Sequence, residues 1–312
     1  MKPSAPHPLD ALTAALSTIE PTDTISTAGR KIILADAIRL LALEDGVRLS
    51  DDPEFIHDMR VATRRMRTLL QLLGQYYHPK RVKKLVRSLR WQAQLLGRVR
   101  DLDVLLEDLF SRDRTGLHHP ISTAKAQRDR MHRKLVSGLT SKKFKTLADR
   151  LMQFALDPDD LLANSAPLPV EVRHIVPILL HQQLAAVRGF DPLFTDDAHP
   201  DYQTLHALRI AFKQLRYATA YFGDVLGASA DAFITEIKAV QDHLGRLNDV
   251  VVFADHLRTH VETRPDDEAL KAALVDLETE ASTLAQSFIQ AWHRFNSRIV
   301  QKHLADALLV LR

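Results

Sequence analysis

The amino-acid sequence predicts an all-α protein built from two related halves. Only 10 of its 312 residues are glycine, and Leu, Ala, Arg, Asp and Lys dominate a composition that is typical of helical proteins. No stretch shows the alternation of apolar and polar residues that indicates strands. Two unlike motifs each occur twice, in the same order and at nearly the same spacing. Hydrophobic residues make up 46% of the chain, which is enough to fill a core.

The first repeated motif predicts a helix with one basic face. HDMRVATRRMR at residues 57–67 returns as HALRIAFKQLR at residues 206–216, 149 residues later. Because each residue turns a helix by about 100°, positions i, i+3, i+7 and i+10 share roughly one third of its circumference. In the first copy these positions are His57, Arg60, Arg64 and Arg67, and in the second they are His206, Arg209, Lys213 and Arg216.

The opposite face of each motif helix is apolar and is predicted to pack into a core. It carries Met59, Ala62, Met66, Leu69 and Leu73 in the first copy and Leu208, Ala211, Leu215 and Ala218 in the second. Asp52 and Asp201 each precede the motif histidine by five residues, where an N-cap is expected. Each helix therefore offers one side to a core and the other to an anion.

The second repeated motif supports an internal duplication. LGRVRDLDV at residues 96–104 returns as LGRLNDVVV at residues 244–252, 148 residues later. Arg98, Arg100 and Arg246 would add cations, and Asp101 and Asp249 would hold arginines through charge-assisted hydrogen bonds. The alternative interpretation is that the glycine of this motif lets two helices cross closely and that its charged residues lie at the surface.

The first half is predicted to have a flexible N-terminal lead, residues 1–25, followed by a helical bundle over residues 26–156. The predicted helices cover residues 26–43, the first motif, a long segment from residue 79, and residues 121–138 and 142–156. The segment from residue 79 places five cations on one side without interleaved acids: Lys80, Lys83, Lys84, Arg87 and Arg90. This pattern indicates either an anion-binding surface or a solvated basic face.

Residues 157–169, DPDDLLANSAPLP, are predicted to link the two halves. The second bundle, residues 170–312, then repeats the plan with a helix to Arg188, the second motif helix, a helix through Lys238 and two longer helices. Its first helix carries His174, His181 and Arg188, which are seven residues apart and therefore lie on one face. That face is expected to point either into a groove shared by the two halves or to water.

Charge is strongly sorted along the chain. Residues 57–150 contain 23 Lys and Arg but 8 Asp and Glu, a net charge of +15, whereas the whole chain carries +3. Such sorting indicates an anionic partner or an oppositely charged second lobe.

Cysteine is absent, which excludes disulfides, thiolate catalysis and cysteine-based metal sites. The N-terminal residues lack the apolar core of a signal peptide, and no window reaches 18 apolar residues. We therefore expect a soluble, cytoplasmic protein without a membrane partner.

The two motif pairs resemble those of the CHAD (conserved histidine α-helical domain) family, over roughly residues 26–312. The resemblance implies two four-helix bundles related by pseudo-twofold symmetry and non-catalytic binding of inorganic polyphosphate along a basic central groove. It also implies that no cofactor is needed and that the protein is directed to polyphosphate granules. Carried over by position, the family's histidines are His57 and His206. Its basic positions are Arg60, Arg64, Arg65, Arg67, Arg209, Lys213 and Arg216. The further cations Lys83, Lys84, Arg87, Arg90, Arg98 and Arg246 are expected to line the groove, supported by Asp101, Asp249 and Tyr217.

The sequence departs from the family pattern in two respects. Lys213 and Gln214 replace Arg64 and Arg65 in the second copy, so its phosphate contacts should be weaker. The ExExK segment of the triphosphate-hydrolysing barrel that accompanies some family members is absent, so that activity is not transferred.

Polyphosphate suits a surface of this kind because it carries about one negative charge per phosphate and has no bases to stack. Tyrosines occur mainly near the ends of the motif helices, at Tyr76, Tyr77, Tyr217 and Tyr221, and aromatic content is 6%. A surface that binds single-stranded nucleic acid would be expected to carry more aromatic side chains on which bases can stack. Bound phosphate should raise the pKa of His57 and His206, so binding should strengthen at mildly acidic pH.

Other functional classes stay open. RNA or nucleotide binding by the same groove is the main alternative. A phosphohydrolase is less favoured because the P-loop motif G-x-x-x-x-G-K-[ST] is absent. Glu54 and His57 spell the E-x-x-H of di-iron bundles, but the second copy has Gln203 at the Glu54 position. His256 and His260 form an i, i+4 pair that fits a metal or a solvated helix face.

Overall fold

The computed structural model describes residues 8–49, 52–111, 118–157, 170–195 and 200–311. Within these ranges the chain folds into helices and turns, with an isolated antiparallel bridge between Thr24 and Glu171. The predicted all-α class is confirmed. Among the described helices, none is both long and apolar enough to cross a lipid bilayer.

The helices of the first half of the chain are α1 (Pro8–Ala14), α2 (Ile25–Ala42), α3 (Glu44–Leu49), α4 (Pro53–Leu73), α5 (Pro79–Ser111), α6 (His118–Leu139) and α7 (Lys142–Leu156). Those of the second half are α8 (Val172–Arg188), α9 (Tyr202–Tyr221), α10 (Gly223–Leu226), α11 (Ala228–Thr263), α12 (Glu268–Phe295) and α13 (Arg298–Leu309). The first motif lies on α4 and the second on α9.

The chain divides into two compact units whose boundaries differ from the predicted halves. Unit 1 comprises Met1–Asp103 and Gln127–Ile175, and unit 2 comprises Val104–Ala126 and Val176–Arg312. The C-terminal end of α5 and the start of α6 thus belong to unit 2. Their side chains Leu109, Ile121 and Ala124 are buried there in one cluster with α11 and α12, which includes Val250, Phe253, Leu257, Leu270 and Leu277.

The predicted flexible lead is partly ordered. Helix α1 contacts α2 and buries Leu12 completely. Farther along, Val172 N–H donates to the Asp23 carbonyl (2.9 Å), and Ile25 N–H donates to the Val170 carbonyl (2.7 Å). These backbone hydrogen bonds join the segment that precedes α2 to the segment that precedes α8. Residues 1–7 lie outside the described residues, as do residues 158–169 of the predicted linker.

The two motif helices begin and pack as their sequences predict. The Asp52 carboxylate accepts from Glu54 N–H (2.9 Å) and the Asp201 carboxylate from Thr204 N–H (2.6 Å), so both are N-caps. The predicted apolar side chains are buried on both helices, except that Ala211 is only half-buried. This packing fixes the rotation of each helix and leaves its basic face partly accessible.

Candidate functional site

The basic face of α4 keeps its predicted register. His57, Arg60, Arg64 and Arg67 are all half-buried, between the buried apolar face and solvent. Long side chains in such positions pack their methylene stems against the apolar surface and keep their charged groups in contact with solvent. The face is therefore supported by the core of unit 1 and still reachable by a ligand.

Arg60 lies across α5 at a point where that helix has no side chain. A Cβ atom at Gly97 would lie 2.5 Å from Arg60 Nη1. One turn farther along α5, Asp101 Oδ1 lies 3.5 Å from Arg60 Nη2. Gly97 and Asp101 of the second motif thus position an arginine of the first motif.

Arg67 lies in a concentration of positive charge. Burial, Arg90 of α5 and Arg60 together lower the pKa of its guanidinium. Its Nε–H is buried and has no hydrogen-bond acceptor among the described residues. A buried donor of a charged group without an acceptor is costly, and a bound anion would supply one.

His57 lies in a second basic neighbourhood. Burial lowers its pKa most, and the nearby Arg100 and Arg64 guanidinium groups lower it further, against the opposing effect of Glu54 and Asp58. Arg100 Nη1 in turn lies 3.8 Å from Glu54 Oε1. Arg100 therefore acts on the pKa of the motif histidine as Arg64 of α4 does, although the resemblance did not include it among the site residues.

Arg65 has a different position from the other motif arginines. Its Nε donates to both carboxylate oxygens of Asp36 on α2, at 2.9 and 3.0 Å. Asp36 is only 3% exposed, and burial raises its pKa while Arg65 lowers it. Since Arg65 follows Arg64 directly, it points about 100° away around the helix. Arg65 therefore forms a structural ion pair with Asp36, and the phosphate contact expected of it stays a prediction.

The predicted cations of α5 form an exposed stripe. Lys83, Lys84, Arg87, Arg90 and Arg98 are all exposed. Arg90 is the member that lies close enough to Arg67 to affect its pKa. Arg90 therefore adds positive charge beside the α4 face.

On α9, His206 is hydrogen-bonded to a side chain of α11. Its Nδ1 lies 3.2 Å from Asn248 Oδ1, which also accepts from the Tyr202 hydroxyl at 3.2 Å. Asn248 Nδ2 donates to Asp249 (3.2 Å), which assigns the orientation of the amide. His206 Nδ1 is accordingly the protonated nitrogen, and Nε2 is left for a ligand. Asn248 occupies the position of Arg100 in the repeated motif.

The remaining basic residues of α9 are buried to the same degree as the equivalent residues of α4. Arg209, Lys213 and Arg216 are half-buried. The Arg216 guanidinium lies 5.2 Å from the ring centroid of Tyr217, which is itself buried and stacked on Tyr221. Tyr217 thus makes a cation–π contact with Arg216, and its supporting role in ligand binding stays a prediction.

Arg246 is engaged by carboxylates of unit 2. Its guanidinium lies 2.8 Å from Asp108 and 2.6 Å from Glu280. Burial lowers its pKa, but the hydrogen bonds to Asp108 and Glu280 outweigh this effect and the pKa is raised. The side chain links α5, α11 and α12, and its predicted phosphate contact stays a prediction.

The histidine pair of α11 has a third neighbour. His256 Nε2 and His260 Nε2 lie 3.3 Å apart, and the rings of His119 and His260 are 5.5 Å apart. In the described part of the chain, no group of three or more His, Asp or Glu side chains has an arrangement that would hold a metal ion. The short contact requires one imidazole to donate to the other.

Comparison with known proteins agrees with the repeated motifs and the helical architecture. Residues 31–258 match the model of the CHAD domain family. The chain belongs to the CHAD domain family. The match contains both copies of both motifs, so the resemblance predicted from them is confirmed.

Two curated relatives of this CHAD domain chain come from Mycobacterium tuberculosis. They are the uncharacterized proteins MT2285, from strain CDC 1551 / Oshkosh, and Rv2226, from strain H37Rv. Each is 27% identical over 239 residues, which cover 72% of this chain and 44% of the relative. The chain therefore spans less than half the length of these relatives.

Two solved structures share the fold. The crystal structure of the CHAD domain from the plant Ricinus communis has a TM-score of 0.66 and 24% identity, covering 94% of this chain and 95% of that one. PptA from Streptomyces chartreusis has a TM-score of 0.59 and 18% identity, covering 87% and 100%. At these identities the likeness establishes the fold alone.

Proposed function

We propose that this CHAD domain binds inorganic polyphosphate without transforming it, through the His/Arg faces of α4 and α9. The observation that carries the proposal is Arg67, a half-buried cation beside Arg90 and Arg60 whose Nε–H has no acceptor in the described part of unit 1. A polyanion would satisfy this donor and relieve the repulsion between the three cations.

The tyrosines near the motif helices favour polyphosphate over RNA. Tyr77, Tyr217 and Tyr221 are buried and offer no face for a base to stack on, whereas Tyr76 is half-buried and Tyr202 is exposed. Arginine forks, in contrast, can bind two oxygens of one phosphate wherever it lies along the polymer. A surface rich in arginine and poor in accessible aromatic rings matches a polymer that is all phosphate.

A binding role is favoured over catalysis because the carboxylates of the α4 face already contact arginines. Asp101 lies beside Arg60 and Glu54 beside Arg100. We propose that such pairs position cations rather than bind a metal or activate water. Binding of this kind would direct the protein to polyphosphate granules. The predicted central groove, in which one polymer contacts both faces, stays a prediction.

Competition at equal phosphate concentration tests the proposal. Labelled long-chain polyphosphate bound to the protein should be displaced by unlabelled polyphosphate far better than by single-stranded RNA. The physical reason is that RNA bases gain little on a surface with few accessible aromatic rings. Better displacement by RNA would overturn the proposal and support the nucleic-acid alternative.

Substituting Gly97 by alanine is expected to weaken polyphosphate binding about tenfold without unfolding the protein. The added methyl group must displace the end of the Arg60 side chain, which is flexible, so the fold can adjust. One charge-assisted hydrogen bond contributes about 1.5–3 kcal/mol, which sets the scale of the loss. Isothermal titration calorimetry measures the affinity.

Gly245→Ala provides the matched control. Gly245 is the equivalent residue of the second copy, and a Cβ atom there meets nothing within 4 Å. Alanine should leave binding unchanged and stabilise helix α11 by up to about 1 kcal/mol. Equal affinities for the two alanine variants would show that the position of Arg60 is unimportant for binding.

Affinity should increase as the pH falls from about 8 to 6. In the free protein the pKa of His57 lies below its ordinary value, because of burial and the neighbouring Arg100 and Arg64. Bound phosphate would raise that pKa, so binding takes up a proton and is favoured by acid. Calorimetry in buffers of different ionisation enthalpy measures the proton uptake directly.

The His57→Gln variant separates this effect from titration of the ligand. Terminal phosphates titrate near pH 6, so long chains with few ends are the appropriate probe. The variant should show a flatter pH dependence than the wild-type protein. Identical pH profiles for the two proteins would exclude protonation of His57 as the cause.

A further inference from the structure

A pocket between α5 and α7 lies within unit 1, on the other side of α5 from Arg60. It has a volume of about 340 Å³ and is lined by Arg87, Ser88, Trp91, Lys142, Lys143 and Arg150, among others. The α4 side of α5 carries Gly97, over which Arg60 lies. Arg87 is also one of the cations predicted to line the groove, whereas Trp91, Lys142 and Lys143 are separate from the α4 face proposed to bind polyphosphate.

Trp91 gives this pocket a feature that a polyphosphate surface does not need. The side chain is half-buried, and Lys143 Nζ lies 6.0 Å from its ring centroid. The other tryptophan of the chain, Trp292, is 2% exposed inside unit 2. A planar aromatic ligand can stack on the Trp91 ring, and such stacking contributes about 1–3 kcal/mol per base.

Among the described residues, the lining of the pocket contains several cations and no acid. Lys142 and Lys143 are exposed in the first turn of α7, which contains no acidic residue. Helix N-termini carry a partial positive charge, so lysines there are unfavourable and an anion is favoured. Arg150 adds a third cation, held by its hydrogen bond to Ser88 Oγ at 2.6 Å.

A second cavity leaves room for an extended anionic group. It has a volume of about 250 Å³, shares Arg150 with the first pocket and includes Arg81 and Lys84. Arg81 is paired with Asp157 at 2.9 Å, whereas Lys84 is exposed. A ligand with its ring on Trp91 can thus direct a negatively charged tail towards Arg150.

We propose that the α5–α7 pocket binds a nucleoside polyphosphate, with the base on Trp91 and the phosphates on Lys142, Lys143 and Arg150. The pocket combines one accessible aromatic ring with several cations, and each part alone would bind weakly. Inorganic phosphate chains can use only the cations, and a nucleoside can use only the ring. The combination selects a ligand that contains both.

Tryptophan fluorescence tests the proposal with ATP as the probe and the full chain as the protein. ATP should quench Trp91, and the quenching should disappear in Trp91→Phe, which retains only the buried Trp292. Adenosine and inorganic triphosphate, measured by competition, should each bind at least about tenfold more weakly than ATP. Triphosphate binding as tight as that of ATP would overturn the proposal.

Two double variants locate the site. Lys142→Gln with Lys143→Gln should weaken ATP binding at least about tenfold, because both side chains are exposed and their loss leaves the fold intact. Arg60→Glu with Arg64→Glu, on the α4 face, should leave ATP binding unchanged. Unchanged binding by the lysine variant, or loss of ATP binding in the arginine variant, would contradict the assignment to this pocket.

Discussion

Arg60→Glu combined with Arg64→Glu is expected to weaken polyphosphate binding by more than about 100-fold. Each substitution removes a charge-assisted contact of about 1.5–3 kcal/mol and adds a negative charge that repels phosphate. Both side chains are half-buried, and the packed face of α4 lies opposite to them. Helical content should therefore be unchanged by circular dichroism while calorimetry records the loss.

A matched control separates the face from the net charge of the protein. Lys238→Glu combined with Lys302→Glu changes the charge by the same amount at two exposed positions on α11 and α13. This variant should lose little affinity because long-range effects between exposed charges are screened at physiological salt. Equal losses in the two variants would mean that net charge, rather than the α4 face, governs binding. Unchanged affinity in the arginine variant would show that the face is not the site.

The local features of the fold were predictable from sequence because they depend on neighbours in the chain. The N-caps Asp52 and Asp201 precede their helices directly, and the buried face of α4 follows from the helical period. Helix α7 spans the residues expected of it, Lys142–Leu156. These features need no knowledge of tertiary contacts.

The roles of individual arginines were not predictable in the same way, because their partners are distant in sequence. Arg65 contacts Asp36, 29 residues away, and Arg246 contacts Asp108, 138 residues away. A family motif identifies basic positions but not the carboxylates that compete for them. For Arg65 one signal was available, since its position on the helix is about 100° from that of Arg64.

The two motif histidines show that a sequence repeat need not repeat a chemical environment. His57 has Arg100 beside it, whereas His206 is hydrogen-bonded to Asn248 at the equivalent position. The difference is visible in the second motif, where LGRVRDLDV has an arginine and LGRLNDVVV an asparagine. Interpreting it required the contact between this position and the histidine, which only the fold supplies.

Arg65→Leu is expected to destabilise the protein by about 3 kcal/mol, although Arg65 belongs to the basic motif. The substitution leaves the Asp36 carboxylate, 3% exposed, without its two hydrogen bonds from the guanidinium. Burial already raises the pKa of Asp36, and loss of Arg65 would raise it further. The variant should then regain stability relative to the wild-type protein as the pH falls from about 8 towards 4, because its folded state binds the proton more tightly. Urea unfolding at several pH values measures both effects.

Arg64→Leu is the matched control, because it changes the adjacent residue on the ligand-facing side of α4. It should reduce polyphosphate affinity with little loss of stability, whereas Arg65→Leu should do the reverse under conditions in which it is folded. Adding Asp36→Leu to Arg65→Leu should recover much of the lost stability, since two apolar side chains can replace a buried ion pair. If Arg65→Leu instead retains full stability and loses polyphosphate binding, Arg65 is a ligand contact and its pairing with Asp36 does not stabilise the fold.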